Sequence, residues 1–413
     1  MSSLYFLRTV GILLSVETGH SPLTLKIKPA LFVAILIVFL GFVLVWIIIG
    51  PRPKEGSVGS GVFVAGETRK AQPTMQRPAI PGVAVELVGS FRALGRLLQG
   101  GLAPADADRR LQEMAQRLRL LPPDVAVAVL MMLLEEGLDA KTGLAFKVGP
   151  GGNLTTAPTL RVWMLDLLGQ IDPIEGARYA RRIYERQDSA DEWALALRND
   201  WRTSAPAGQI AEVRLRAIGL INDARWAQAP SDGFLEAFDL TVATMAWEAV
   251  PRLEELLAPS QRGELRRASW VALDRLALET PADFLPMLAQ REDWLDTQPL
   301  VRAGLFARAD LEADPQRVAV EAYLARPGLS AEEGAKFFAL SPNVNATVSN
   351  NLATTARVPT LYDAARLDRA ALQALQSWQA RPEFRRWNGE MASAEARLRE
   401  SIAAAARGGY FKP

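Results

Sequence analysis

The sequence predicts an all-α protein held to a membrane by a single N-terminal helix. Three observations carry that expectation. One apolar run, Ala30 to Ile49, has the length of a bilayer crossing; a Pro/Gly-rich stretch follows it directly; and beyond Pro81 apolar residues recur at three- and four-residue spacings between helix-start signals.

The run ALFVAILIVFLGFVLVWIII holds 20 residues with no charge, and 16 of them are Leu, Ile, Val or Phe. As a helix it spans roughly 30 Å, the thickness of the hydrocarbon core. On an insertion scale it favours the bilayer by roughly 5–10 kcal/mol. Gly50-Pro51-Arg52-Pro53-Lys54 follows it without the small-x-small site of a cleaved signal peptide, so an uncleaved signal anchor is expected over residues 30–50. The preceding segment, 1–29, contains a 13-residue apolar stretch from Leu4 to Val16, interrupted by Arg8 and too short to span. It reads as an interfacial or partner-packed helix, or as an unstructured leader. Basic residues lie on both sides of the span (Arg8, Lys26 and Lys28 before it, Arg52, Lys54, Arg69 and Lys70 after it) and do not decide orientation. The Ala-, Leu- and Arg-rich composition has the look of a bacterial protein. A lone N-terminal anchor there predicts an inner-membrane protein with a periplasmic bulk domain, the cytoplasmic arrangement being the alternative.

Composition narrows the chemistry. Charge is balanced, 47 Lys+Arg against 46 Asp+Glu, without the clustered cations that a nucleic-acid face requires. There is no cysteine, and the one histidine, His20, precedes the apolar run. Thiolate and His-based metal sites, haem ligation and His-based triads are therefore not expected in the main domain, and no cofactor is expected. The Gly149-Pro-Gly-Gly152 stretch lacks the GK[ST] ending of a phosphate loop, so no nucleotide is expected either.

Residues 51–82 carry repeated Pro, Gly and Ser and read as a tether. Helices follow in order. Val83 to Leu98 places Val85, Leu87, Val88, Phe91, Leu94 and Leu98 in helical phase; Asp106 to Leu121 and Val125 to Leu138 are separated by Pro122-Pro123. Asp172-Pro173, Thr280-Pro281, Asp314-Pro315 and Ser341-Pro342 each place a capping residue before a first-turn proline. Ser330 with Glu333, and Thr360 with Asp363, have capping-box spacing, the second weaker because Asp replaces Glu. Leu361 to Gln379 and Glu390 to Ala406 read as closing helices.

Three units share a layout: RVWMLDLLGQI before Asp172-Pro173, RASWVALDRLALE before Thr280-Pro281, and RAGLFARADLEA before Asp314-Pro315, each followed by a second amphipathic helix. In architecture this resembles the helix pairs of HEAT- and TPR-type solenoids; the starts at 161, 267 and 302 keep no fixed period, and an irregular helical bundle is the alternative. The resemblance covers about residues 159–340, and a helical-pair domain is expected over 83–340. The segment 138–158 is expected as an inserted hairpin or loop projecting from it, because Leu144 to Val148 alternates before a Gly-rich turn. Residues 341–413 then supply a polar surface loop, NVNATVSNNLATT, and the C-terminal helices.

For sites, adjacent carboxylates such as Glu135/Glu136, Glu254/Glu255 and Glu332/Glu333 point about 100° apart on a helix and read as solvated faces. Trp163 and Trp270 read as core. Trp378 and Trp387 sit among Arg381, Arg385 and Arg386, the mixture enriched at protein interfaces, with internal cation–π packing as the alternative. With Tyr410 and Phe411 these residues are the candidate partner contacts. The expectation is a non-enzymatic, membrane-anchored scaffold or accessory subunit of a bacterial envelope complex. A carboxylate-dependent glycan hydrolase and a tethered peptide- or ligand-binding regulator are the alternatives.

Overall fold

A computed structural model describes residues 82–204, 210–355 and 357–408, all within one compact unit. The apolar run, the segment before it, the tether up to residue 81, and Tyr410 and Phe411 lie outside the described residues. The described chain is all-α apart from one two-stranded hairpin and two isolated bridges. No described helix is long and apolar enough to cross a membrane.

The first three helices are α1 (Gly82–Gln99), α2 (Pro104–Arg119) and α3 (Pro123–Glu135). In α1 the residues Leu87, Val88, Phe91, Leu94 and Leu98 are buried as their spacing requires, whereas Val85 faces solvent. Prolines open α2 and α3 at the first turn, where a missing N–H breaks no helical bond.

The hairpin pairs β1 (Lys147–Val148) with β2 (Leu154–Thr156) through a bulge. Its turn uses Gly151 and Gly152 at φ of 69° and 73°, a region glycine enters without steric cost. The expected projection is corrected here. Phe146 and Val148 are buried, and the Leu154 amide donates to Asp166 at 3.1 Å, so the hairpin folds back onto the helices.

Then come α4 (Leu160–Ile171), α5 (Pro173–Arg186), α6 (Ala190–Ser204) and α7 (Ile210–Asn222). Asp172 caps α5 as predicted, accepting from the amides of Ile174 and Glu175. Three short helices follow, α8 (Ala224–Gln228), α9 (Asp232–Glu236) and α10 (Asp239–Ala243), and then α11 (Val250–Leu257). The remainder comprises α12 (Gly263–Glu279), α13 (Pro281–Gln290), α14 (Pro299–Phe306), α15 (Asp314–Leu324), α16 (Ala331–Leu340), α17 (Leu361–Gln379) and α18 (Asn388–Arg407).

Packing runs in two rows. In one, α4 packs on α6, α6 on α9, α9 on α12, α12 on α14, α14 on α16 and α16 on α18; in the other, α13 packs on α15. The Trp378 indole N–H of α17 donates to Glu321 of α15 at 2.9 Å and extends the second row. Apart from the short α8, the helices bury one face against their neighbours, and nearly all of the buried apolar residues form one contiguous core.

Start signals fared unequally. Thr360 and Asp363 close a full capping box; Ser330 accepts from the Glu333 amide, but the Glu333 side chain turns inward instead of reciprocating. Thr280 makes no cap hydrogen bond because its hydroxyl donates back to the Leu276 carbonyl. Asp314 lies inside the first turn of α15, after Ala313. No helix begins at Pro342. The chain instead leaves α16 and runs from Asn343 to Ser349 without a turn or bend.

Candidate functional site

The site starts with charged residues in helical phases that demand apolar ones. Arg198 in α6 is 0% exposed; it pairs with Asp166 of α4 and donates to the Gly152 carbonyl at 2.8 Å. Arg161 of α4 meets Glu192 of α6 at 2.9 Å. Arg302 of α14 grips Glu333 of α16 with two bonds, at 2.8 and 3.1 Å. Arg397 of α18 donates to the Phe338 and Ser341 carbonyls at the end of α16. Arginine thus bridges three of the six joints in the first row. Its planar fork matches a carboxylate at two points and fixes the register of the helices it joins.

These pairs correct the reading of Glu333, which is 1% exposed and inside the core, not on a solvated face. It also accepts from the Tyr323 hydroxyl at 3.0 Å; burial, with that carboxylate next to it, pushes the phenol well above its ordinary range. Glu254 is engaged too, accepting from the amides of Leu295 and Thr297. Glu135 and Glu136 are exposed, as expected.

Two consecutive residues of α12 send their side chains to different neighbours. Asp274 receives a bidentate pair from Arg308, at 2.6 and 2.7 Å, while Arg275 reaches Asp239 of α10 at 2.7 Å. The roughly 100° step between helical neighbours makes this divergence possible. Both pairs then hold the extended segment 343–355. Arg308 donates to the Asn343 carbonyl at 3.2 Å, and the Asn343 amide bonds the Ala307 carbonyl at 2.7 Å. At the far end, Asp239 accepts from the amides of Ala353 and Thr354 at 2.7 and 2.8 Å. Leu352 is buried between these contacts and the hairpin, with its carbonyl against Gly152 where a Cβ would overlap it. The segment is the expected surface loop, exposed from Val348 to Asn350, and it is also a strap fastened at both ends to α12 and its partners, turning back on itself where Asn350 and Thr355 form an isolated bridge.

Two cavities flank the strap, and α12 and Thr347 line both. One, of about 330 Å³, has Phe238, Val242 and Val271 in its walls together with Glu236 and Arg267. Burial, reinforced by Asp239 and Asp232, pushes the Glu236 carboxyl up to about 7. Glu264 lines the same cavity with its carboxyl held below the ordinary range, by a hydrogen bond from its own backbone amide and by Arg262. The other, of about 440 Å³, contains Trp270, Leu300, Gly304 and Lys336. Trp270 is 42% exposed, so its expected place in the core is corrected: it sits on the outward side of α12, at the strap.

The Trp/Arg cluster at the C-terminal end lies elsewhere. Trp378 and Trp387 are 1% and 3% exposed, and their indole N–H groups donate to Glu321 and the Leu324 carbonyl. The Arg381 guanidinium lies 4.6 Å from the Phe384 ring centre and pairs with Glu321 and Glu383. Arg386 lies 4.5 Å from the Trp387 ring centre and donates to the carbonyls of Leu324 and Arg326. For Trp387 this is the internal cation–π packing that stood as the alternative, whereas Trp378 is buried against the Phe384 ring and Glu321. Arg385 is exposed and has no ion pair among the described residues.

Glu236, Asp239, Arg275 and the strap escaped the sequence reading. The signal for the three charged residues was present in FLEAFDLTV and VALDRLAL, where a charge interrupts an apolar face. Among the described residues no group of His, Cys, Asp and Glu side chains is arranged to hold a metal ion. No protein-family model, curated protein or solved structure matches the chain.

Proposed function

We propose that the protein is a membrane-anchored, non-enzymatic scaffold or accessory subunit of a bacterial envelope assembly, acting through protein–protein contacts. In this reading Ala30–Ile49 is the single inner-membrane span, residues 51–81 tether the domain, and the helices form a HEAT- or TPR-like stack on the periplasmic side. The observation that carries it is the strap. An extended stretch of polypeptide is seated across α12, its amides received by the Asp239 carboxylate and its first carbonyl by Arg308. Stacked helix pairs offer long surfaces of this kind for chains in extended form.

The experiment is fractionation of cells expressing the full chain. It stays with the membrane after an alkaline carbonate wash, protease added to spheroplasts degrades the domain, and a second polypeptide co-purifies after detergent extraction. Release by carbonate, or purification alone, contradicts the proposal.

One observation favours a second reading, carboxylate-dependent hydrolysis of an envelope glycan. Glu236 and Glu264 line one cavity with their carboxyls pushed in opposite directions, the condition for an acid and a base to coexist. Release of sugar from cell-wall glycan by the purified chain, abolished by Glu236→Gln, is the result that reading requires.

A further inference from the structure

The scaffold reading leaves unspecified where on the helices a partner's chain lies, and the following inference rests on it. The strap is fixed at Asn343 and again at Leu352–Thr354, and its middle runs between these anchors along the cavity walls. Val348 and Ser349 face solvent, and from Ala346 to Ser349 no hydrogen bond among the described residues uses the backbone N–H or C=O groups. Half-buried at Ala346 and Thr347 and exposed at Val348 and Ser349, this stretch has no turn or bend, and a backbone that pairs with none of the described residues is a template for a second strand. Beside it, Glu236 has neither a hydrogen bond nor an ion pair among the described residues, although it is partly buried and neighbours Asp232 and Asp239. Arg275 is already committed to Asp239, and Arg267, on the α12 wall, forms no ion pair among the described residues. An unpaired carboxylate in an apolar-walled cavity is complementary to an incoming cation.

We propose that Ala346–Ser349 is a docking strand: an extended segment of a partner protein pairs with its free backbone edge and places a lysine or arginine side chain beside Glu236. Backbone pairing supplies the affinity and the Glu236 cavity the selectivity, the division of labour typical of strand addition.

The test uses the full-length chain in detergent at pH 8 and two fluorescent, end-blocked peptides of alternating threonine and valine, one with a central lysine and one with norleucine in its place. Anisotropy is expected to show the lysine peptide binding at least about tenfold more tightly, the scale of a partly buried charge pair. Glu236→Gln should reduce that difference to about twofold or less while keeping the norleucine peptide's affinity. Thr347→Pro, which removes one edge N–H, should weaken both peptides; slowed amide exchange at 346–349 on peptide addition reads the same contact without a variant. Equal binding of the two peptides, no saturable binding, or exchange unchanged at the strap overturns the docking strand. The scaffold reading fails separately: if a partner still co-purifies with Glu236→Gln and Thr347→Pro proteins, only the docking strand is lost, whereas if nothing co-purifies with the wild-type chain the scaffold itself is lost.

Discussion

The Asp239 carboxylate takes both the amide and the hydroxyl of Thr354, at 2.8 and 2.5 Å, across 115 residues of chain. It takes Arg275 as well, so one buried side chain holds α10, α12 and the strap together. Asp239→Asn removes the charge and leaves Arg275 buried without its counter-ion. The expected loss is about 3–5 kcal/mol in chemical denaturation of the detergent-solubilised chain. Limited proteolysis should also cut within 343–355 sooner than in wild type. An unchanged midpoint would mean that the strap is held by something else.

Arg198 and Asp166 allow a sharper test of the buried pairs. Removing one partner strands a charge inside the protein, while replacing both with apolar residues of similar volume does not. Arg198→Met should cost about 3–5 kcal/mol, and the double variant Arg198→Met/Asp166→Leu should recover a large part of it. The Gly152 carbonyl and the Leu154 amide also lose partners in the double variant, so recovery should be incomplete. Additive losses in the double-mutant cycle would contradict the assignment.

Glu236 predicts a pH dependence with a definite sign. Its carboxyl is raised from 4.5 to about 7, so between those values the folded chain binds more protons than the unfolded chain. Stability attributable to this group is full below about pH 4.5 and is lost as pH rises through 7. Glu236→Gln should match wild type at pH 4.5 and exceed it by about 2–3 kcal/mol at pH 8, read from denaturation midpoints. A variant less stable than wild type at pH 8 would show that the carboxylate is paired in the folded protein.

Gly334 in α16 lies against Trp387, and a Cβ there would overlap the indole. Alanine normally gains about 1 kcal/mol over glycine within a helix. Here the clash should reverse that gain, and Gly334→Ala should destabilise by about 1–3 kcal/mol. Near-ultraviolet circular dichroism should report the displaced tryptophan. A stabilised variant would place Trp387 elsewhere.

Much of the helical layout was legible because its causes are local. Asp172 before Pro173, Thr360 with Asp363, and the apolar phase of Leu361–Gln379 each work through neighbours within a few residues. What was not legible depends on partners far along the chain. Glu333 had the right spacing for a capping box, but Arg302, 31 residues earlier, claims its carboxylate. Trp270 had a core-like phase, yet its side of α12 is the one that meets the strap. The Asn/Thr-rich strap read correctly as a surface loop, but nothing in its own residues announces its anchors, Asp239 and Arg308. Trp378 and Trp387 looked like interface residues for the converse reason, their acceptors Glu321 and Leu324 lying about 60 positions upstream.

The proposed scaffold binds other proteins while anchored in the membrane. The most direct measurement is the composition and native mass of the tagged full chain purified from detergent-solubilised membranes. A protein mass above the 45.1 kDa of the chain is expected once bound detergent is subtracted, with a second polypeptide in fixed ratio that persists through size-exclusion chromatography. A monodisperse particle containing this polypeptide alone would contradict it.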